Sequence, residues 1–262
     1  MSAQVLLAAE GGGFTPPGPS DFQLPALFLG VTKPMILLVL AAALVAVFFV
    51  ASSRRAAVVP GKMQYAGEMA YGFVRNSIAR DVIGSHDFLK FVPYLVALFF
   101  FILVNNVFGL VPFIQFPTFS HVGFVYPLAI LTWLVYNGVG IARKGFVGYL
   151  NHQTVPAGIK GPMLLLLIPL EFASNILVRP VTLALRLFAN MFAGHMVIVL
   201  FALGGEYLLL HTDQILYKPV GIIAWVLMIV LSFLELLVQV LQAYIFTLLT
   251  ANYISGALAE DH

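Results

Sequence analysis

Two apolar runs, residues 163–203 and 219–257, limit what this chain can become more than any other feature. At 1.5 Å per residue, each would make a helix about 60 Å long. That is roughly twice the 30 Å hydrocarbon thickness of a bilayer. Two arrangements keep such a run in an apolar medium. It folds back as a hairpin of two short helices, or it lies as one long helix tilted far from the membrane normal. Ordinary spans tilt by about 20°, so the second is a departure from common geometry. Pro169 and Pro180 supply kinks in either case. The stretch from Gly204-Gly205-Glu206 to Lys218 reads as a polar break between the two runs.

The rest of the chain supports a membrane setting. It is 61% hydrophobic and 9% charged, where soluble domains carry about 25% charged residues. The fold class expected is an all-α polytopic membrane protein. Ordinary spans are expected at 35–51, 91–111 and 122–141, and the two long segments follow. Residues 62–90 differ: Tyr65, Met69, Phe73, Ile78 and Val82 alternate with Gln64, Glu68, Arg75, Arg80 and Asp81. That pattern fits an amphipathic helix on the cytoplasmic face, or a solvated loop helix without a role. Residues 1–34 form a Gly- and Pro-rich tail, and residues 258–262 a short C-terminal one. The segments 52–90 and 142–161 hold nine Lys and Arg. Positive-inside reasoning puts them in the cytoplasm, with the N-terminus outside and the C-terminus inside.

Several chemistries are excluded. With no cysteine, thiolate metal sites and disulfides are ruled out. The six histidines are scattered and no phosphate-cradling loop is present. Gly138-Val-Gly140-Ile-Ala-Arg143 comes near a dinucleotide fingerprint but has Arg at the third Gly, and reads as a helix end with positive-inside charge. A net charge of +2 argues against a nucleic-acid partner. No cofactor is expected.

The chemistry sits inside the long segments. Arg179, Arg186, Asn190 and His195 interrupt the fourth. A charge there costs at least about 2.5–3.5 kcal/mol, and a guanidinium does not escape by deprotonating. On a wheel of 100° per residue, Asn175, Arg179, Thr182, Arg186, Asn190 and Ala193 share one face. His195 falls nearly opposite. In the fifth segment Glu235, Gln239, Gln242 and Phe246 form a second stripe. A carboxyl and an imidazole beside amides that donate and accept make a proton relay. The alternative for Asn105, Asn106 and Gln239 is plain interhelical bonding, and Arg179 is placed to snorkel toward the cytoplasmic interface.

The stretch Leu185-Arg186-Leu-Phe-Ala-Asn190-Met-Phe-Ala-Gly194-His195, followed by Leu241-Gln242-Ala-Tyr-Ile-Phe246-Thr, resembles subunit a of the rotary F-type ATP synthase. Val59-Pro-Gly-Lys62, Asn105-Asn106-Val-Phe-Gly109-Leu-Val-Pro112 and Arg179-Pro180 add to the likeness. The resemblance implies two strongly tilted C-terminal helices packed on a ring of c subunits. It implies that Arg186 faces the ring carboxylate, with Asn190 and Gln242 as polar neighbours. His195 and Glu235 correspond to an acid–histidine pair in an outer half-channel, and Glu171 to an acid near an inner one; Gln239 joins the candidates by its spacing on the Glu235 stripe. The implied partners are the c ring, b-type peripheral-stalk subunits, the lipid bilayer and transported protons. The implied location is a bacterial-type cell membrane, and the implied role is non-catalytic. The competing readings are a secondary transporter or channel using the same Arg/His/Glu set, and a membrane anchor. Transporters commonly carry internal repeats, and the halves of this chain differ in motif and segment length.

Overall fold

A computed structural model describes residues 14, 16–18, 30–54, 57–111, 114–155, 163–212 and 214–259. Most of the expected N-terminal tail, Pro112, the loop end with Lys160, and residues 260–262 lie outside the described residues. The chain's main elements are all helices: α1 (Lys33–Ser53), α2 (Lys62–Val74), α3 (Val92–Val107), α4 (Val122–Lys144), α5 (Phe146–Thr154), α6 (Met163–Phe172), α7 (Arg179–Leu210) and α8 (Lys218–Leu258). Among the described residues, four helical stretches are long and apolar enough to cross a membrane, and α3 is a shorter apolar helix.

Proline placement explains several helix starts. Pro34 and Pro93 are each the second residue of their helix, and Pro219 is the second of α8, just after a 3-10 turn at Ile215–Tyr217 that leads into it. Proline is favoured there because its fixed φ suits a helix and its missing N–H would have no intrahelical partner anyway. Pro180 holds the same position in α7, but the chain before it is already helical. Residues Ala173–Val178 form a π-helical turn that joins α6 to α7. Pro180 has no N–H to give the carbonyl of Ile176, and the indole of Trp133 donates to that oxygen instead, at 2.8 Å.

Met163–Leu210 is therefore one continuous helical path of 48 residues, and Ile215–Leu258 one of 44. At 1.5 Å per residue these measure about 72 and 66 Å. The hairpin of short helices is not what forms. Helices this long fit a roughly 30 Å apolar layer only when strongly inclined.

Three further expectations are corrected. The polar break does not begin at Gly204: α7 runs on through Gly204, Gly205 and Glu206 to Leu210. The glycines serve packing. A Cβ on Gly205 would collide with the Trp225 ring, and one on Gly221 would lie 2.7 Å from Leu209 Cγ and 3.1 Å from the Gly205 carbonyl. Small residues let two helix backbones approach. The loop after the third span contains α5, which turns back on α4 through Gly145, at a φ of +72° that suits glycine. A Cβ on Gly140 would strike the Tyr149 ring. Finally, the amphipathic segment is interrupted. A π-helical turn occupies Arg75–Arg80, and Gly84, at φ +91°, ends the helix before a 3-10 turn at Phe88–Lys90. Tyr65, Met69 and Phe73 of its apolar face are exposed, while Ile78 is buried.

The chain divides into two compact units. One gathers the described parts of Met1–Ala42, Leu103–His121 and Phe188–Gln242. Within it Lys33 Nζ donates to the Ile114 carbonyl at 2.7 Å, and Trp225 Nε1 to the Ala202 carbonyl at 3.3 Å. The other gathers Ala43–Ile102, Val122–Leu187 and the described part of Ala243–His262. Its core includes Val92, Leu95, Ile102, Val125, Leu183, Leu187 and Ile254.

Candidate functional site

In the first unit α7 and α8 run antiparallel, and their facing sides carry the polar side chains. Glu235, Gln239 and Gln242 are buried along one stripe of α8. The spacings of four and three place them on one helical face. Gln239 Nε2 donates to Glu235 Oε1 at 3.2 Å. Asn190, half-buried on α7, donates through Nδ2 to Gln242 Oε1 at 2.7 Å. Gly194 lies against the Glu235 carboxyl: a Cβ there would sit 3.3 Å from Cδ and 3.4 Å from Oε1. His195, the next residue, is buried. Asn106 of α3 donates to the main-chain carbonyl of Gln239 at 3.2 Å, an interhelical bond of the structural kind. Glu235 Oε2, Gln239 Oε1 and Gln242 Nε2 are buried and retain open hydrogen-bonding capacity. Buried polar atoms of this kind are uncommon and call for a functional or structural reason.

Arg186 is on the other side of α7 and is exposed. Thr182, Arg186, Ala189, Ala193, Val197 and Leu200 make an exposed stripe at spacings of 4, 3, 4, 4 and 3 residues, while Ala184, Leu187, Met191 and His195 are buried. Among the described residues no carboxylate pairs with Arg186; the ion pairs given by side chains are those of Asp87 with Lys90 and Arg143. Of the expected polar stripe, Thr182, Arg186 and Ala193 share this exposed face, whereas Asn190 turns to Gln242 of α8 and Asn175 bonds to the Gln153 carbonyl. The π-turn Ala173–Val178 adds a residue to the helical repeat, so the regular wheel drifts within it, at Asn175, and is off by about 100° for side chains before it.

In the second unit, Glu171 is half-buried and accepts from Asn175 Nδ2 at 3.0 Å. Asn175 Nδ2 also donates to the main-chain carbonyl of Gln153 at 2.7 Å. Gln153 Nε2 donates to Tyr149 Oη at 3.1 Å, and Tyr149 Oη donates to Asn137 Oδ1 at 3.0 Å. Arg179 lies over the Tyr253 ring, 5.2 Å from its centroid, a contact worth about 0.5–2 kcal/mol. Its head turns onto a ring of the same chain. Sequence reasoning misses Asn137, Tyr149 and Gln153. Their signal is the spacing of four between Tyr149 and Gln153 in a stretch that looks like loop. Among the described residues no group of three or more His, Asp or Glu is arranged to hold a metal ion.

Two buried amides and a carboxyl on α8, an amide and an imidazole on α7, and an exposed arginine with no acid partner among the described residues precede the comparisons with known proteins. Residues 35–255 match the family described as ATP synthase A chain. The chain belongs to the ATP synthase A chain family. The ATP synthase subunit a of a Nocardioides species is 62% identical, across 100% of this chain and 99% of that one. The ATP synthase subunit a of Pseudarthrobacter chlorophenolicus is 48% identical, again across 100% and 99%. That of Streptomyces lividans is 39% identical across 97% of this chain and 91% of its own. This membership decides against the transporter, channel and anchor readings.

Proposed function

We infer that this chain is the stator subunit of an F-type ATP synthase that carries protons to and from the carboxylates of a c-subunit ring. Protons enter from outside along a route lined by Glu235, His195, Asn190, Gln239 and Gln242. Amides both donate and accept, so they hold water in line. A ring carboxylate that takes a proton is neutral and turns through lipid without the penalty of a buried charge. After nearly a full turn it reaches an inner route near Glu171 and releases its proton. Arg186 separates the two routes. Its fixed charge attracts the ionised ring carboxylate and so favours proton loss, and it repels a proton that would pass straight across. The drive is the membrane potential, about 2.3 kcal/mol per charge per 100 mV, together with the pH difference. The N-terminus is outside and the C-terminus cytoplasmic, the tails 1–34 and 258–262 flank one membrane domain, and b-type stalk subunits hold the chain still. Bond-making chemistry belongs to other subunits.

The observation that carries this reading is Arg186, exposed on an apolar helix with no acid of its own among the described residues. Such a charge needs a counter-charge, and a passing ring supplies a succession of them. Because the chain has no cysteine, a single introduced cysteine reports contact cleanly. Ala189→Cys, on the exposed stripe, should form a disulfide with a cysteine placed at mid-membrane on the outer helix of the c subunit. Ala184→Cys, buried at 1% exposure, should not. Equal cross-linking at both positions, or none at Ala189→Cys, would remove the ring from this face.

A further inference from the structure

Among the described residues one side chain, Asn175, bonds to Glu171, and that side chain is itself fixed. Asn175 is one turn beyond Glu171, inside the π-turn Ala173–Val178. Its amide nitrogen carries two hydrogens. It makes two bonds, one to the Gln153 main-chain carbonyl at 2.7 Å and one to Glu171 Oε2 at 3.0 Å. The first bond ties the amide to backbone, which rotates far less than a side chain. That backbone belongs to α5, and α5 is fixed in turn by the Tyr149 hydroxyl on Asn137 of α4. The π-turn is held by the same helix, through Trp133 of α4 on the Ile176 carbonyl. One face of α4 thus holds the backbone of the turn at Ile176 and the α5 carbonyl on which the amide rests.

We propose that Asn175 is a positioning residue that aims the Glu171 carboxylate, with its own amide set by the Gln153 carbonyl and the π-turn. The proposal rests on the reading of Glu171 as the acid of the inner route. A glutamate has three rotatable bonds, and without Asn175 its carboxylate would sample many directions. With Asn175 in place, one oxygen is occupied and the other is presented in a fixed direction to take or release a proton. An asparagine suits this because one nitrogen serves both bonds. A leucine fills similar space and offers neither bond.

The test is ATP-driven proton pumping by the whole complex in inverted membrane vesicles, with assembly checked for each variant. Glu171→Gln should slow pumping at least tenfold. Unchanged pumping in Glu171→Gln takes Glu171 off the route, and the reading of that acid and this proposal fall together. Given slowed pumping, the positioning role is isolated by coupling. Asn175→Leu should slow pumping about fivefold in the native chain. In a Glu171→Asp background, where the shortened side chain holds its carboxylate out of reach of Asn175, the same change should cost less than twofold. A residue that only braces α5 would cost the same in both backgrounds. That result, or an Asn175→Leu chain pumping at the native rate, overturns the proposal while leaving Glu171 on the route. Asn175→Asp, of the same shape but without the donor, replaces Asn175→Leu if the leucine variant does not assemble.

Discussion

Asp87 and Glu235 are both carboxylates, and their surroundings are opposite. Asp87 has each oxygen on a cation: Lys90 Nζ at 2.9 Å on one and Arg143 Nη1 at 2.7 Å on the other. Those bonds, Lys90 first and Arg143 second, hold its carboxyl down at about 2. Glu235 has one amide donor at 3.2 Å and a second oxygen with open capacity. The arginines divide the same way. Arg143 is paired with Asp87, whereas Arg186 is exposed on an apolar helix with no acid among the described residues. A charge that is fully matched within the chain is a latch, and changing its protonation only loosens the latch. A charge or acid left short of partners is available to something that arrives from outside the chain, whether a proton or the carboxylate of another subunit.

The contrast breaks first at Glu235. Glu235→Gln keeps the shape and still accepts from Gln239, so assembly should survive, but it removes the proton-carrying group. ATP-driven pumping in vesicles should fall at least tenfold. Pumping within twofold of native would mean that a buried acid with open capacity is merely structural here.

At Asp87 a much smaller effect is expected. Asp87→Asn should leave pumping unchanged and lower the thermal stability of the purified complex slightly at neutral pH. The sign follows from the depressed value. A carboxyl held near 2 in the folded chain, against 3.8 ordinarily, stabilises the fold above the ordinary value, and that contribution fades as pH falls toward 2. The stability gap between the native chain and Asp87→Asn should therefore be constant from pH 7 to about 5 and shrink below about 4. A gap that widens on acidification would contradict the assignment of Asp87 as an ionised latch. Because the pair is near the surface, the gap should also shrink in high salt.

Legibility from the sequence followed regularity. The α8 stripe of Glu235, Gln239 and Gln242 is visible because the helix is regular and a count of 100° per residue places them correctly. The opposition of Arg186 and His195 on α7 is visible for the same reason, with one exposed and the other buried. The count fails at Asn175, because the π-turn that Pro180 and Trp133 share adds a residue no periodicity announces. It fails again at Gly204 and Gly205, where residues that usually end helices instead let α7 approach α8. The α5 helix is hidden by its polar composition, and with it the Tyr149–Gln153 scaffold behind Asn175. Local pattern reveals which residues are polar in an apolar setting. Which of them are tied down depends on contacts between helices far apart in sequence.

If Arg186 acts on charges carried by another subunit, its removal uncouples the complex. Vesicles carrying the assembled complex with Arg186→Ala should hydrolyse ATP without building a proton gradient. With the catalytic sector removed, they should still conduct protons passively, because the positive barrier between the two routes is gone. A gradient of native size in Arg186→Ala vesicles would mean that Arg186 does not act on the ring carboxylates.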